Sequence, residues 1–260
     1  SERQQATLIS NLPGFVYRCA YDENWTMWFI SDGCKSITGY SPEDFINNKK
    51  ITFNNINHPD FRDEIFKKWQ IRLPNKEVFK DEYQIITSTG ELRWVWEQGR
   101  GIYDTNGDLL HLEGFITDIT DKKLAIEALS ESEKKFRTLF SEMSEMVVLH
   151  NLVYDASGKI CDYRIIDCNN AFTEQTGISH DKAVGTLATE LYNQNPPPYL
   201  NIYAQVGLTG ELKEFETYYP NMDKYFHVSA VSPMKGTFAT ITTDISELRR
   251  FNDMLIEKNK

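Results

Sequence analysis

At 260 residues, 40% hydrophobic and 25% charged, the chain has the make-up of ordinary globular protein and room for one or two cores. A formal net charge of −10 argues against binding a phosphate backbone, which needs clustered Lys and Arg. The chain has no run of about 18 apolar residues and no secretory leader, so a cytoplasmic protein without a membrane span is expected.

Residues 1–12 read as the end of a helix stopped by Pro13-Gly14, and such helical text at either end of the chain leads us to expect a piece of a longer protein. Phe15, Tyr17 and Cys19 alternate with Val16 and Arg18, the period of a half-buried strand, and Asp22-Glu23-Asn24 turns the chain into a second strand over 27–30. Ser31-Asp32-Gly33 closes that hairpin and leads into short helices through Ile37 and Phe45. His58-Pro59-Asp60 caps a longer helix over 61–73, with Ile65, Phe66 and Trp69 on one face. Strands over 78–87, 92–103 and 109–117 follow, turning at Thr87-Ser88-Thr89-Gly90 and Thr105-Asn106-Gly107-Asp108. Five strands with helices between the second and third predict an α+β domain, its helices on one face of a single antiparallel sheet.

Asp118-Ile119-Thr120 then opens a charged helix that starts free of Gly and Pro, with Thr120 or Asp118 as its N-cap. Leu129, Phe136 and Met143 fall seven apart with Leu139 and Phe140 beside them, an apolar stripe that needs a partner surface. Ser130-Glu131-Ser132-Glu133 has the form of a capping box, which leaves open whether this linker is one helix or two.

From Met146 the same order returns. Strands over 146–154 and 160–167 flank Ala156-Ser157-Gly158-Lys159; helical text over 169–207 is broken by Asn195-Pro196-Pro197-Pro198; strands over 211–219, 224–232 and 237–243 close the copy. Asp244-Ile245-Ser246 repeats Asp118-Ile119-Thr120, and Thr176-Gly177-Ile178 repeats Thr38-Gly39-Tyr40. The expected organisation is a helix over 1–12, a domain over 13–120, a helical linker over 121–143, a second domain over 144–246 and an outgoing helix over 247–260.

Particular fragments carry a resemblance to a known family. In the first copy they are Phe29-Ile30-Ser31, Thr38-Gly39-Tyr40-Ser41-Pro42-Glu43-Asp44-Phe45, His58-Pro59-Asp60, Gly90-Glu91-Leu92-Arg93-Trp94-Val95 and Gly114-Phe115-Ile116-Thr117-Asp118-Ile119-Thr120. In the second they are Asn169-Asn170-Ala171-Phe172, Thr176-Gly177, Tyr225-Phe226-His227-Val228-Ser229-Ala230-Val231-Ser232-Pro233 and Thr243-Asp244-Ile245-Ser246. In this order, twice, they resemble PAS sensory domains. The resemblance implies a bacterial or archaeal receptor of the sensor histidine kinase type, in which a small ligand or partner alters helix packing across a parallel homodimer. Its output domain would follow Lys260. A spacer that only dimerises is one rival reading, and a redox or light sensor bearing haem or flavin is the other.

Asp118 and Thr120, with their counterparts Asp244 and Ser246, join a last strand to a helix and are the candidate signal relay. Trp69, Tyr83, Trp94 and Trp96 in the first domain, and Tyr163, Tyr192, Phe215 and Phe226 in the second, are candidate lining of an apolar cavity, although aromatics at such positions more often belong to the core. His58 joins the candidates because haem-binding relatives use a histidine on that helix, although His-Pro-Asp is an ordinary helix start. The Asn-Cys-Arg-Phe motif of flavin photoreceptors is missing, and neither haem nor flavin is expected. Cys19, Cys34, Cys161 and Cys168 show no metal-ligand spacing and read as small buried thiols. Asp and Glu read as solvated surface. Lacking a phosphate loop, nucleophile elbow or kinase motif, the chain is not read as an enzyme.

Overall fold

The computed structural model describes residues 12–258, so the helix expected over 1–12 lies outside the described residues except at Leu12. The chain forms two compact units, Ser1–Ser130 and Glu131–Lys260.

The first unit runs β1 (Phe15–Cys19), β2 (Met27–Ile30), α1 (Cys34–Thr38), α2 (Pro42–Phe45), α3 (Phe53–Ile56), α4 (Pro59–Arg72), β3 (Phe79–Ile86), β4 (Leu92–Tyr103) and β5 (Leu109–Asp118). Its strands form one antiparallel sheet in the order β2-β1-β5-β4-β3. The alternation read in β1 is real: Phe15, Tyr17 and Cys19 are buried. The Thr-Gly landmark also has a physical cause. Thr38 Oγ1 donates back to the Cys34 carbonyl at 2.8 Å and accepts the Tyr40 N–H at 3.1 Å, while Gly39 takes the left-handed conformation (φ 79°) that ends α1. Thr176 and Gly177 repeat this device in the second unit, with φ 73° at the glycine.

The second unit runs β6 (Met146–Tyr154), β7 (Ile160–Cys168), α6 (Asn170–Thr176), α7 (His180–Ala183), α8 (Ala188–Leu191), α9 (Leu200–Thr209), β8 (Lys213–Tyr219), β9 (Lys224–Val231) and β10 (Thr237–Asp244). Its sheet order, β7-β6-β10-β9-β8, is that of the first unit. The linker helix, α5 (Thr120–Glu142), is unbroken, so Ser130–Glu133 caps no second helix. An outgoing helix covers Ser246–Lys258. Cys161 is exposed, a correction to the expectation of four buried thiols; its strand turns that side chain away from the core.

The two interiors differ. In the first unit buried residues form one continuous cluster, with Trp69 of α4 stacked on Phe79 at 4.5 Å. In the second they form two clusters, one around Phe172, Phe226 and Val228, the other around Tyr163, Tyr203 and Phe238. The helix that fills the first unit has 14 residues, whereas the second unit has only the ten of α9, reached through the proline loop.

Glycines make the tight packing of the first unit possible. Phe79, Gly99, Gly114 and Tyr17 form one row across β3, β4, β5 and β1. A Cβ on Gly114 would come within 2.5 Å of Tyr17 Oη, and one on Gly99 within 2.9 Å of the Trp69 ring. The glycine pair is thus the seat of both large side chains. Gly114→Ala is expected to destabilise this unit by about 1–3 kcal/mol through overpacking. Urea unfolding followed by tryptophan fluorescence reads it selectively, because all five tryptophans (Trp25, Trp28, Trp69, Trp94 and Trp96) lie in the first unit. An unchanged midpoint would show that the Tyr17 ring is not seated there.

Candidate functional site

Between the two clusters of the second unit lies a cavity of about 460 Å³. The size suits a small-molecule ligand, for which pockets of roughly 300–1,000 Å³ are typical. Met146, Val148, Phe226 and Val228 give it an apolar sheet wall, and Thr240 and Thr242 add hydroxyls from β10. Tyr163 of β7 extends that wall and Tyr192, Tyr199 and Tyr203 come from the helical side, with Tyr163 Oη donating to the Pro198 carbonyl at 3.0 Å and Tyr199 Oη bonded to Thr217 Oγ1 at 2.6 Å. Tyr199 adopts a left-handed backbone (φ 55°), an uncommon and costly conformation for a bulky residue, which marks this loop as held in place by its contacts. His150 is buried in the wall, its ring stacked on Phe238 at 4.4 Å, and its Nδ1 has no hydrogen-bond partner. Burial, opposed by a backbone hydrogen bond with Phe238, pushes this imidazole down to about 3.

The same place in the first unit is full. Only about 10 Å³ remains, room for one water at most. Glu97 is buried there: Tyr17 Oη donates to one carboxylate oxygen and Tyr83 Oη to the other at 2.7 Å. Burial raises the Glu97 carboxyl to about 7, against the two tyrosine hydrogen bonds and with help from Asp81, and it raises both tyrosines well above their ordinary range.

A second feature is built twice. At the end of β5, Thr120 N–H donates to Asp118 Oδ1 at 2.8 Å, Trp94 N–H donates to Thr120 Oγ1 at 3.0 Å, and Ile119 N–H donates to the Trp94 carbonyl at 2.9 Å. At the end of β10 the corresponding bonds are Ser246 N–H to Asp244 Oδ1, 2.9 Å, Tyr225 N–H to Ser246 Oγ, 2.9 Å, and Ile245 N–H to the Tyr225 carbonyl, 2.9 Å. Cations complete each copy. Arg93 reaches Asp118 at 3.6 Å, and Lys224 reaches Asp244 at 2.8 Å. From the first helical turn, Lys123 lies 4.9 Å from the Trp94 ring centre and pairs with Glu82, while Arg249 lies 5.3 Å from that of Tyr225 and pairs with Glu216. Partial burial works to raise the Asp244 carboxyl, but Lys224 and the Ser246 hydrogen bonds outweigh it and hold it at about 2. Each outgoing helix is therefore clasped at its start to the two strands beside it.

Comparison with known families decides the identity: the family described as "PAS fold" matches residues 27–116, and that described as "PAS domain" matches residues 131–247. The chain belongs to the PAS family. Over 64% of its length it is 26% identical to the methyl sulfide methyltransferase-associated sensor of Methanosarcina acetivorans, and over 51% it is 24% identical to the two-component sensor PprA of Pseudomonas aeruginosa. The matched stretches span 17% and 13% of those relatives' own lengths. A sensory box histidine kinase/response regulator from Burkholderia thailandensis E264 aligns over 54% of this chain and 100% of its own, at 24% identity and a TM-score of 0.43.

In the first PAS domain, Trp69 and Tyr83 border the residual void, but Trp94 and Trp96 lie on the opposite, outer face of the sheet. This corrects their assignment to a cavity. The apolar alternation of β4 favours burying the tryptophans, yet the inward positions go to Val95 and Glu97, because Tyr17 and Tyr83 satisfy the carboxyl while the cation of Lys123 covers Trp94. His58 is also corrected: it is the N-cap of α4, its Nδ1 accepting the Asp60 N–H at 3.4 Å, and it borders no void. In the second PAS domain Tyr163, Tyr192 and Phe226 line the cavity, whereas Phe215 packs behind it against Tyr199 at 4.9 Å. The sequence did signal His150, which shares the period of the buried Met146, Val148 and Leu152. Glu97 contradicts the view of the acidic residues as solvated, and only the register beside the glycine pair reveals it.

The Glu97 arrangement has a pH signature. Its pKa in the folded state lies near 7 against an ordinary 4.5, so the unfolded chain loses this proton first. The stability it contributes is whole below pH 4.5 and declines as pH rises to about 7, a change on the order of 3 kcal/mol. Glu97→Gln is expected to flatten that part of the first domain's stability profile, measured by tryptophan-detected urea unfolding at several pH values. A slope unchanged by the substitution would assign the titration to another group.

Proposed function

We propose that the chain is the sensory part of a cytoplasmic signalling receptor whose second PAS domain receives a small molecule. The resulting change in its sheet passes through the clasp into the helix Ser246–Lys258, toward an output domain of the histidine kinase type. One observation carries this reading: the strands that line the cavity are the strands that hold the helix. Phe226 lines the cavity next to Tyr225, whose backbone grips Ser246 and Ile245, and Thr242 lines it two residues before Asp244. A ligand acts only through different affinities for two arrangements of the protein, so it must touch an element that differs between them. β9 and β10 are that element. The sensor relatives support the receptor reading. Among the described residues no helix is long and apolar enough to cross a membrane, and three thiols are buried and unpaired, as expected in a reducing compartment.

The first PAS domain, having no room for a ligand, serves as a rigid relay and spacer. Leu129, Phe136 and Leu139 on the linker helix and Leu248, Phe251 and Leu255 on the outgoing helix are exposed at spacings that suit a parallel two-stranded dimer. Changing Leu129, Phe136 and Leu139 together to Ser is expected to convert the chain from dimer to monomer in sedimentation. A wild-type chain that is already monomeric would end the dimer reading.

The coupling itself is tested without knowing the ligand. Val228→Phe fills the cavity from the sheet side, and Ser246→Ala removes the hydroxyl of the clasp. Each is expected to alter hydrogen exchange over residues 246–250 by roughly fivefold or more, the effect of about one net hydrogen bond. Exchange over 120–125 should stay unchanged. If Ser246→Ala moves the helix start while a folded Val228→Phe leaves it untouched, the cavity wall is not coupled to the helix.

A further inference from the structure

We propose that the second PAS domain's cavity selects an uncharged amphipathic molecule, an extended apolar body bearing a hydroxyl or carbonyl group that bonds to His150 and to the hydroxyls of Thr240 and Thr242. The proposal rests on the reading of this cavity as the ligand's seat and adds the chemistry of the occupant.

Three observations carry it. First, none of the described lining residues is Lys, Arg, Asp or Glu. A carboxylate or phosphate seated against these walls would give up part of its hydration with no cation in return, an unfavourable transfer. Second, the polar groups are all neutral, and three of them stand together on the sheet while Thr176, Asn193, Thr217 and five tyrosines are spread over the rest of the lining. Thr240 and Thr242 share a face of β10, and His150 stands on the neighbouring β6, two positions beyond Val148, the partner of Thr240. Third, His150 Nδ1 is a buried nitrogen without a partner. That nitrogen is covered by protein, but the His150 ring borders the cavity, and a ligand hydroxyl or carbonyl set against it meets a neutral imidazole that donates or accepts according to its tautomer. The ring stays neutral throughout the physiological range, so it supplies no charge that would reward an anion. Met146, Val148, Phe172, Phe226 and Val228, with the tyrosine rings, supply hydrocarbon and aromatic surface that suits a polycyclic body.

The test uses two probes of one shape, 9-anthracenemethanol and 9-anthracenecarboxylate, titrated by fluorescence into the full chain at neutral pH. The alcohol is expected to bind at least about tenfold more tightly than the carboxylate. His150→Phe should weaken the alcohol by roughly fivefold or more, and His150→Gln, which restores a hydrogen-bonding group, should recover part of that loss. Val228→Phe should abolish binding. Equal or tighter binding of the carboxylate overturns the uncharged class while leaving the cavity as the binding place. No saturable binding of either probe overturns the polycyclic class. Alcohol binding that survives a folded Val228→Phe places the probe elsewhere and overturns the cavity reading itself. A Soret band that appears with added haemin and vanishes in His150→Gln overturns the proposal in favour of a metal-bound occupant.

Discussion

The structure depends on a shared hydroxyl. The first turn of any helix has backbone N–H groups without intrahelical partners, and the end of a sheet strand has backbone groups of its own to satisfy. Thr120 and Ser246 meet part of both needs, because each opens a helix and accepts the N–H of the aromatic residue on the neighbouring strand. The aspartate two residues earlier takes the helix's own N–H and is balanced by a cation from the same strand. Three residues into the helix, a second cation covers the aromatic ring and pairs with a glutamate one strand further on. A helix held at so many points cannot change direction unless the sheet does. That is the physical basis of the relay proposed above.

With the clasps superimposed in register, the two interiors can be compared position by position. Trp94 and Tyr225 are equivalent, which aligns Glu97 with Val228, Tyr83 with Thr217 and Tyr17 with Val148. The three residues of the first domain's buried hydrogen-bonded triad thus correspond to three lining residues of the second domain's cavity. One topology is closed by polar cross-bonding in the first copy and left hollow in the second. The hollow is not a passive gap. It stands half open, so water can fill it where no ligand does, and the hydroxyls of Thr240 and Thr242 give such contents something to bond.

How much of this was legible beforehand follows from the range of each interaction. The strands announce themselves by alternation, and the Thr-Gly and Asp-Ile-Thr landmarks are local, their hydrogen bonds closing within a few residues or onto the adjacent strand. Repetition then made the tandem order visible. The face of a strand is harder to read when both faces carry large side chains: Trp94 and Trp96 outweigh Val95 and Glu97 in any apolar count, and only Tyr17 and Tyr83, brought across the sheet, reverse the balance. A cavity is further still from the sequence. Its volume depends on how far helices stand from a sheet, which is set by Trp69 on Phe79 in one domain and by a proline loop before a short helix in the other.

The scale of the clasp suits relay better than rigid anchoring. A hydrogen bond contributes roughly 0.5–1.5 kcal/mol net, and exposed ion pairs contribute about 0–1 kcal/mol each. The bonds at each helix start thus sum to only a few kcal/mol, comparable to the ~1–3 kcal/mol over which one site commonly influences another. A much stronger joint would hold one arrangement whatever filled the cavity, and a much weaker one would leave the helix free of the sheet. Since Tyr225 lies next to the lining residue Phe226 and Asp244 two residues past Thr242 within their strands, the proposed relay needs no longer path than the strand backbone itself.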